Sequence, residues 1–137
     1  MKKTKPTKKA ATAANAKMKY LVTGGSGFIG SHIVDRIIAE GNEAIVYDDF
    51  STGRKQFVAH HLKNKNFKLI TGDVLDTKKL TRAMKGVDFV FHIAGHADVR
   101  SGLNDHYRNH EQNLEATHSV LEAMFKNGVK KMMESTF

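Results

Sequence analysis

Short apolar runs and stretches of helical period alternate along this chain from residue 19 onward. Tyr20-Leu21-Val22 is a brief unbroken apolar run of the kind a buried strand needs. Phe28, Ile29, His32, Ile33, Ile37 and Ile38 then recur at helical spacing, and Gly41-Asn42 supplies a stop. Ala44 to Tyr47 forms a second run. Ser51-Thr52-Gly53 breaks the chain before a loose helical stretch that reaches Leu62. Phe67 to Ile70 makes a third strand, closed by Thr71-Gly72. Asp76 or Thr77 is placed to cap a helix carrying Leu80, Ala83 and Met84, with Gly86 ending it. Asp88 to Ile93 is the fourth strand. A longer helix over about 105 to 126 should turn Leu114, Val120, Leu121 and Met124 inward and end near Gly128. Val129 to Met133 opens a fifth strand.

Strands separated by helices require crossover connections, and these build a parallel sheet. The expected class is therefore α/β, a doubly wound parallel sheet of about five strands. No internal repeat is present. The one proline, Pro6, precedes every element, so nothing interrupts them.

The turn after the first strand carries the clearest chemistry. Gly24, Gly27 and Gly30 fall three apart between a strand and a helix. In such a turn the first glycine permits the tight exit, the second lets a diphosphate approach the backbone, and the third lets the helix pack close to the sheet. The helix amides and dipole then face the phosphates. Residues 25 to 30 also satisfy G-x-G-x-x-G, a weak signal alone but here in the strand-to-helix context that confirms it. Asp48 ends the second run, 18 residues beyond Gly30, where an acid can accept both ribose hydroxyls. A carboxylate there also repels a 2′-phosphate, which favours NAD over NADP. Gly72-Asp73-Val74 and Ile93-Ala94-Gly95 follow the third and fourth strands at the same end of the sheet. The ligand read from this layout is a dinucleotide, NAD.

Composition narrows the alternatives. At 137 residues the chain is one domain at most. The absence of cysteine excludes disulfides, thiolate catalysis and cysteine-based zinc sites. The net charge of +8 suggests nucleic acid until its placement is considered. Residues 1 to 19 hold seven lysines and no acid, leaving 15 basic against 14 acidic residues in the remainder. Residues 1–18 therefore read as a basic, disordered, solubilising tail and residues 19–137 as the folded domain. Nucleic acid is not the expected partner; binding through the tail would be salt-sensitive and lost on starting at Met18. No apolar segment follows the lysines as in a secretory signal, the tail lacks arginine, and no run is long enough to span a bilayer. The expected location is cytoplasmic, without a membrane partner.

Taken together, LVTGGSGFIGSHIVD, YDDFSTG, TGDVLD, AMKGVDFVFHIAGHADVR, EQNLEAT and the VLEAM and NGVKK segments resemble one family. It is the NAD-dependent epimerase/dehydratase family of the extended short-chain dehydrogenase/reductases, and the sequence is similar to UDP-glucose 4-epimerases. The resemblance implies a Rossmann-like domain, hydride-shuttling chemistry and a nucleotide-sugar substrate. It also implies that Phe28 and Ile29 line the pyrophosphate turn, and that Asp48, Asp49, Ser51, Thr52 and Gly53 surround the adenosine ribose. Asp73 and Val74 would contact adenine. Ile93, Ala94 and Gly95 would lie along the nicotinamide side, with Asn113 holding the far end.

Departures from the family pattern matter as much. The family's base is a Tyr-x-x-x-Lys pair, but the residues four beyond Tyr20, Tyr47 and Tyr107 are Gly24, Ser51 and Glu111. Its Ser/Thr cluster survives only as Ser135-Thr136, followed by Phe137, and His106 stands where proline is common. Glu134 falls where a buried strand should be apolar, and an unpaired buried carboxylate is costly. No catalytic residue is assigned. The chain reads as the N-terminal cofactor half of an epimerase, truncated before the last strands or frame-shifted, and inactive alone. A second copy or a complementing chain is the partner expected to supply the rest; otherwise the chain is a non-catalytic NAD or adenine-nucleotide module. His106 and His110 have helical metal-binding spacing but no third ligand, and His60-His61 adjoin a loop; for His92, on the fourth strand, the resemblance implies a packed core histidine. No metal is expected. Met124, Met132 and Met133 read as core filler.

Overall fold

The computed structural model describes residues 16–95 and 105–135. Five strands form one sheet in which every pairing is parallel: β1 (Lys19–Thr23), β2 (Glu43–Asp48), β3 (Phe67–Thr71), β4 (Phe89–His92) and β5 (Met132–Glu134). Their spatial order is β3-β2-β1-β4-β5. The chain thus winds outward from β1 to one edge, then crosses back to β4 on the other side. That reversal between β1 and β4 is the place where such sheets open a crevice.

Alternation along the strands divides the core between the two faces. Val22, Ala44 and Val46 pack with Val34 and Ile37 of α1 (Phe28–Ala39) on one face. Leu21, Ile45, Tyr47 and Val90 point the other way. They meet Leu80 and Met84 from α2 (Thr77–Ala83) and its C-cap, and Val120 and Met124 from the C-terminal helix. Asp76 caps α2 by accepting the Lys79 amide at 3.1 Å, as its position ahead of the helix led one to expect.

The long helix expected over about 105 to 126 is present, but it is not uniform. Asp105 caps α3 (His106–His110), a wider π-helical turn follows over Glu111–Glu115, and α4 (Ala116–Asn127) completes it. Gly128 ends it in the left-handed region. The buried face of α4 consists of Ala116, Ser119, Val120, Ala123 and Met124. Leu114 and Leu121 are exposed instead of inward, because the inward face follows the small residues Ala116 and Ala123. The helical stretch expected before Leu62 is two 3₁₀ turns, Lys55–Phe57 and Ala59–His61.

The fifth strand begins later than expected. Val129 is buried, but it closes the end of α4 through its amide on the Met124 carbonyl, and pairing with β4 starts at Met132. Met132 and Met133 are therefore half-buried and exposed, not deep filler. Glu134 is also exposed, and Thr117 Oγ1 donates to its carboxylate at 2.8 Å, so the expected cost of an unpaired buried charge does not arise. His92 is buried as expected, with Nδ1 2.7 Å from Thr23 Oγ1.

At the start of the chain, Lys17 reaches Glu43 at 3.3 Å, and the Met18 amide donates to Asn42 Oδ1 at 3.0 Å. Contacts with the sheet thus reach into the last two residues assigned to the tail. Residues 1–15 of that tail, His96 to Arg100 of the quoted motif, Thr136 and Phe137 lie outside the described residues. Among the described residues, no helix is long and apolar enough to cross a membrane.

Candidate functional site

A crevice of about 280 Å³ opens at the carboxyl ends of β1, β2 and β4. Its floor is the glycine turn. Gly24 adopts φ +68°, donates its amide to the Tyr47 carbonyl at 3.0 Å, and lies so close to β4 that a Cβ there would sit 2.8 Å from the Ala94 nitrogen. Left-handed geometry and a backbone contact together leave room only for glycine. Gly30 is tighter still: a Cβ would fall 2.2 Å from the Gly24 carbonyl oxygen. This contact sets how closely α1 approaches the turn.

The amino end of α1 is bare. Gly27 provides no side-chain cap, and the first turn holds no acid. The amide-rich, positive end of a 12-residue helix is thus left for an anion. At Gly27 a Cβ would meet only the Gly24 oxygen, at 3.2 Å, so the space above it is a cradle that a side chain would fill. Beside it the Ser26 hydroxyl is buried without a hydrogen-bond partner, a state that ordinarily calls for a missing ligand or water.

Across the turn stands Asp48, only 7 % exposed. Its Oδ2 accepts the Ser26 amide and its Oδ1 accepts the Phe50 amide, each at 2.9 Å. These bonds tie the acid to the glycine turn and fix its direction, while each oxygen keeps a further lone pair. Phe50 takes φ +59°, uncommon for an aromatic residue, to bring its amide onto that carboxylate. Asp49 accepts the Ser51 amide at 2.9 Å, and the Arg54 amide closes the loop on the Ser26 carbonyl. Thus the loop after β2 is folded back against the turn after β1.

Of the sequence-derived set, Gly24, Gly27, Phe28, Ile29, Gly30, Asp48, Asp49, Ser51, Thr52, Gly53, Val74, Ile93, Ala94 and Gly95 all border this crevice. Phe28 is 76 % exposed, and its ring leans on His32 with the centroids 4.9 Å apart. Asp73 stands apart: its carboxylate accepts the Leu75 amide, and its carbonyl accepts the Tyr47 hydroxyl at 2.9 Å. Asn113 Oδ1 lies 3.0 Å from where a Gly95 Cβ would sit, at the rim.

Gly72, of the Gly72-Asp73-Val74 segment, borders it too, and two bordering residues were not singled out beforehand: Tyr47 and Gln112. Tyr47 directly precedes Asp48 at the strand end, so its position was readable. Burial pushes its phenol up to about 12, with Asp76 and Asp73 adding to the effect and Arg82 opposing it. It is therefore a neutral donor at physiological pH, not a base. Gln112 comes from the π-helical turn, a local change of phase that no residue spacing announces.

A parallel sheet that reverses at a glycine turn, with an acid at the end of the next strand, defines the dinucleotide-binding class of doubly wound domains. Comparison with known proteins makes the assignment narrower. A family model described as the NAD dependent epimerase/dehydratase family matches residues 20–136, and the chain belongs to that family. UDP-glucuronic acid decarboxylase 4 of Arabidopsis thaliana is 36% identical over 119 residues, covering 87% of this chain and 26% of the relative. UDP-glucose 4-epimerase from Brucella ovis, solved in complex with NAD, has a TM-score of 0.79 at 30% identity over 87% of this chain and 35% of that one. The Thermotoga maritima UDP-glucose 4-epimerase, solved with UDP-glucose, gives 0.79 at 34% identity, over 87% and 38%. The chain spans about a quarter of the length of the curated relative it matches.

Proposed function

We infer that this chain holds NAD in the crevice at the ends of β1, β2 and β4, as the cofactor-binding portion of a nucleotide-sugar epimerase or dehydratase resembling UDP-glucose 4-epimerase. The observation that carries the reading is the bare amino end of α1, whose cradle at Gly27 borders the crevice. An anion set there would receive the first-turn amides. Asp48 would accept the ribose hydroxyls, and its charge would disfavour a 2′-phosphate. Asp49, Ser51, Thr52 and Gly53 would close over the ribose, Val74 would meet the adenine, and Ile93, Ala94 and Gly95 would give a flat backbone path for the nicotinamide half.

NAD, once bound, supplies a reversible hydride acceptor. The chain's own contribution is to bind and orient. None of its three tyrosines has a lysine four residues on, so chemistry on a sugar would need a tyrosine and a lysine from a longer form of the protein or from a partner chain.

Calorimetric titration with NAD tests the assignment on the wild type, Gly27→Ala and Asp48→Ala, each checked for folding by circular dichroism. Saturable binding by the wild type that weakens by about tenfold or more in both variants is expected, as befits loss of the cradle and of a charge-assisted hydrogen bond. Folded wild type that takes up no NAD, or variants that bind as tightly, would overturn it. Equal affinity for AMP would mark the adenine-nucleotide module instead.

A further inference from the structure

Away from the crevice, Asp35 of α1 meets the consecutive histidines of the second 3₁₀ turn. Its Oδ1 lies 2.8 Å from His60 Nε2 and 2.6 Å from His61 Nε2. One oxygen is therefore shared by two rings, and the three donor atoms lie within 4.8 Å of one another. Neighbouring residues rarely aim both side chains at one atom. Here the tight turn Ala59–His61 makes the two rings converge, with centroids 4.0 Å apart.

The cluster is built on one side and open on the other. The His61 side chain is 11% exposed, and its ring rests against Phe67 at 5.6 Å, which fixes its direction. The side chains of His60 and Asp35 are 56% and 47% exposed, leaving an approach from solvent. Two imidazole nitrogens and a carboxylate oxygen make a borderline donor set, suited to zinc-like ions and poorly suited to magnesium or calcium, which take oxygen ligands.

We propose that Asp35, His60 and His61 form a binding site for a divalent transition-metal ion of the zinc type, which clips α1 to the segment following β2. Ligand bonds of about 2.0–2.2 Å around a tetrahedral ion set donor atoms about 3.3 Å apart. The present separations of 2.6 and 2.8 Å must widen by about 0.7 and 0.5 Å, a movement within reach of half-exposed Asp35 and His60 side chains. Both imidazoles would then present a lone pair at Nε2 and carry their proton at Nδ1. One or more coordination positions would remain for water on the open side. The segment held this way begins just beyond Gly53, so the clip braces the loop that borders the crevice.

The test uses the full, untagged chain and cobalt(II) as the probe, read by its visible absorption, with zinc(II) in competition and magnesium(II) as control. One cobalt ion per chain with intense tetrahedral bands, displaced by zinc and untouched by magnesium, is expected. His60→Ala, whose exposed side chain is dispensable for packing, and Asp35→Asn should each weaken uptake by about tenfold or more. His106→Ala/His110→Ala should bind as the wild type does. Zinc should also raise the melting temperature of the wild type but not of His60→Ala. Absence of saturable uptake, or uptake unchanged in His60→Ala and Asp35→Asn, would overturn the site. So would loss of uptake in the His106/His110 variant alone. None of these readouts involves NAD, so the two assignments stand or fall separately.

Discussion

His92 shows what one buried side chain can impose. It lies on β4 beside the crevice, with Nδ1 at 2.7 Å from the Thr23 hydroxyl, which also accepts the Ala94 amide at 3.2 Å. The satisfied arrangement has Thr23 donating to a neutral ring. Burial holds the imidazole below its ordinary value of 6.5, and the Glu134 carboxylate offsets this only in part. In the unfolded chain the ring takes a proton as pH falls through about 6.5, whereas in the folded chain it does so only at lower pH. Between those two values the unfolded state binds more protons, so His92 lowers stability as pH drops; above pH 6.5 its contribution is fully retained. Urea midpoints at pH 7.5, 6.5 and 5.5 should fall more steeply for the wild type than for His92→Asn. Equal slopes would mean that the ring does not titrate differently on folding. The histidine's burial was implied by the family resemblance. The hydroxyl partner was not, because strand register is set by the whole sheet.

At the scale of elements, the seating of α1 decides the site. Gly30 brings the helix so near the turn that any Cβ meets backbone, 2.2 Å from the Gly24 oxygen and 2.7 Å from the Gly25 Cα. Neither atom can swing away as a flexible side chain would. Gly30→Ala should therefore cost about 3 kcal/mol or more, the upper end for overpacking, measured as a lower urea midpoint. A loss under about 1 kcal/mol would show that α1 can slide on the sheet, and that the glycine spacing serves the ligand rather than the packing. Strands and helices were legible in the sequence where period and boundary signals agreed, as in Tyr20 to Val22 with Gly24, or Asp76 ahead of α2. The spacing of Gly24, Gly27, Gly30 and Asp48 also placed most of the crevice, because each of those residue types answers a local steric or charge demand. Legibility failed where the cause was tertiary. Leu114 and Leu121 fit a helical period yet face solvent, the π-helical turn that brings Gln112 to the rim has no composition signal, and the meeting of Asp35 with His60 and His61 joins segments 25 and 26 residues apart.

For the whole molecule, the sheet joins two cores, one under α1 and one under α2 and α4, and the crevice sits where elements from both converge. A ligand seated there touches the turn after β1, the loop after β2 and the strand end of β4 at once, so its binding energy is felt by the fold as a unit. If NAD binds the folded chain alone, a concentration one hundred times its Kd should add about 2.7 kcal/mol to stability. Asp48 decides how far this extends to NADP. The carboxylate is almost fully buried and held by two backbone amides, so it cannot turn aside to admit a 2′-phosphate. NADP at the same concentration should therefore raise the melting temperature much less than NAD, and Asp48→Asn should narrow the gap by removing the repulsion, although its single amide oxygen can accept only one of the Ser26 and Phe50 amides and some stability is lost with the other. Melting curves of both proteins with each dinucleotide provide the measurement. Equal shifts for NAD and NADP in the wild type would show that the 2′ position lies clear of Asp48, and the ribose would have to be placed elsewhere in the crevice.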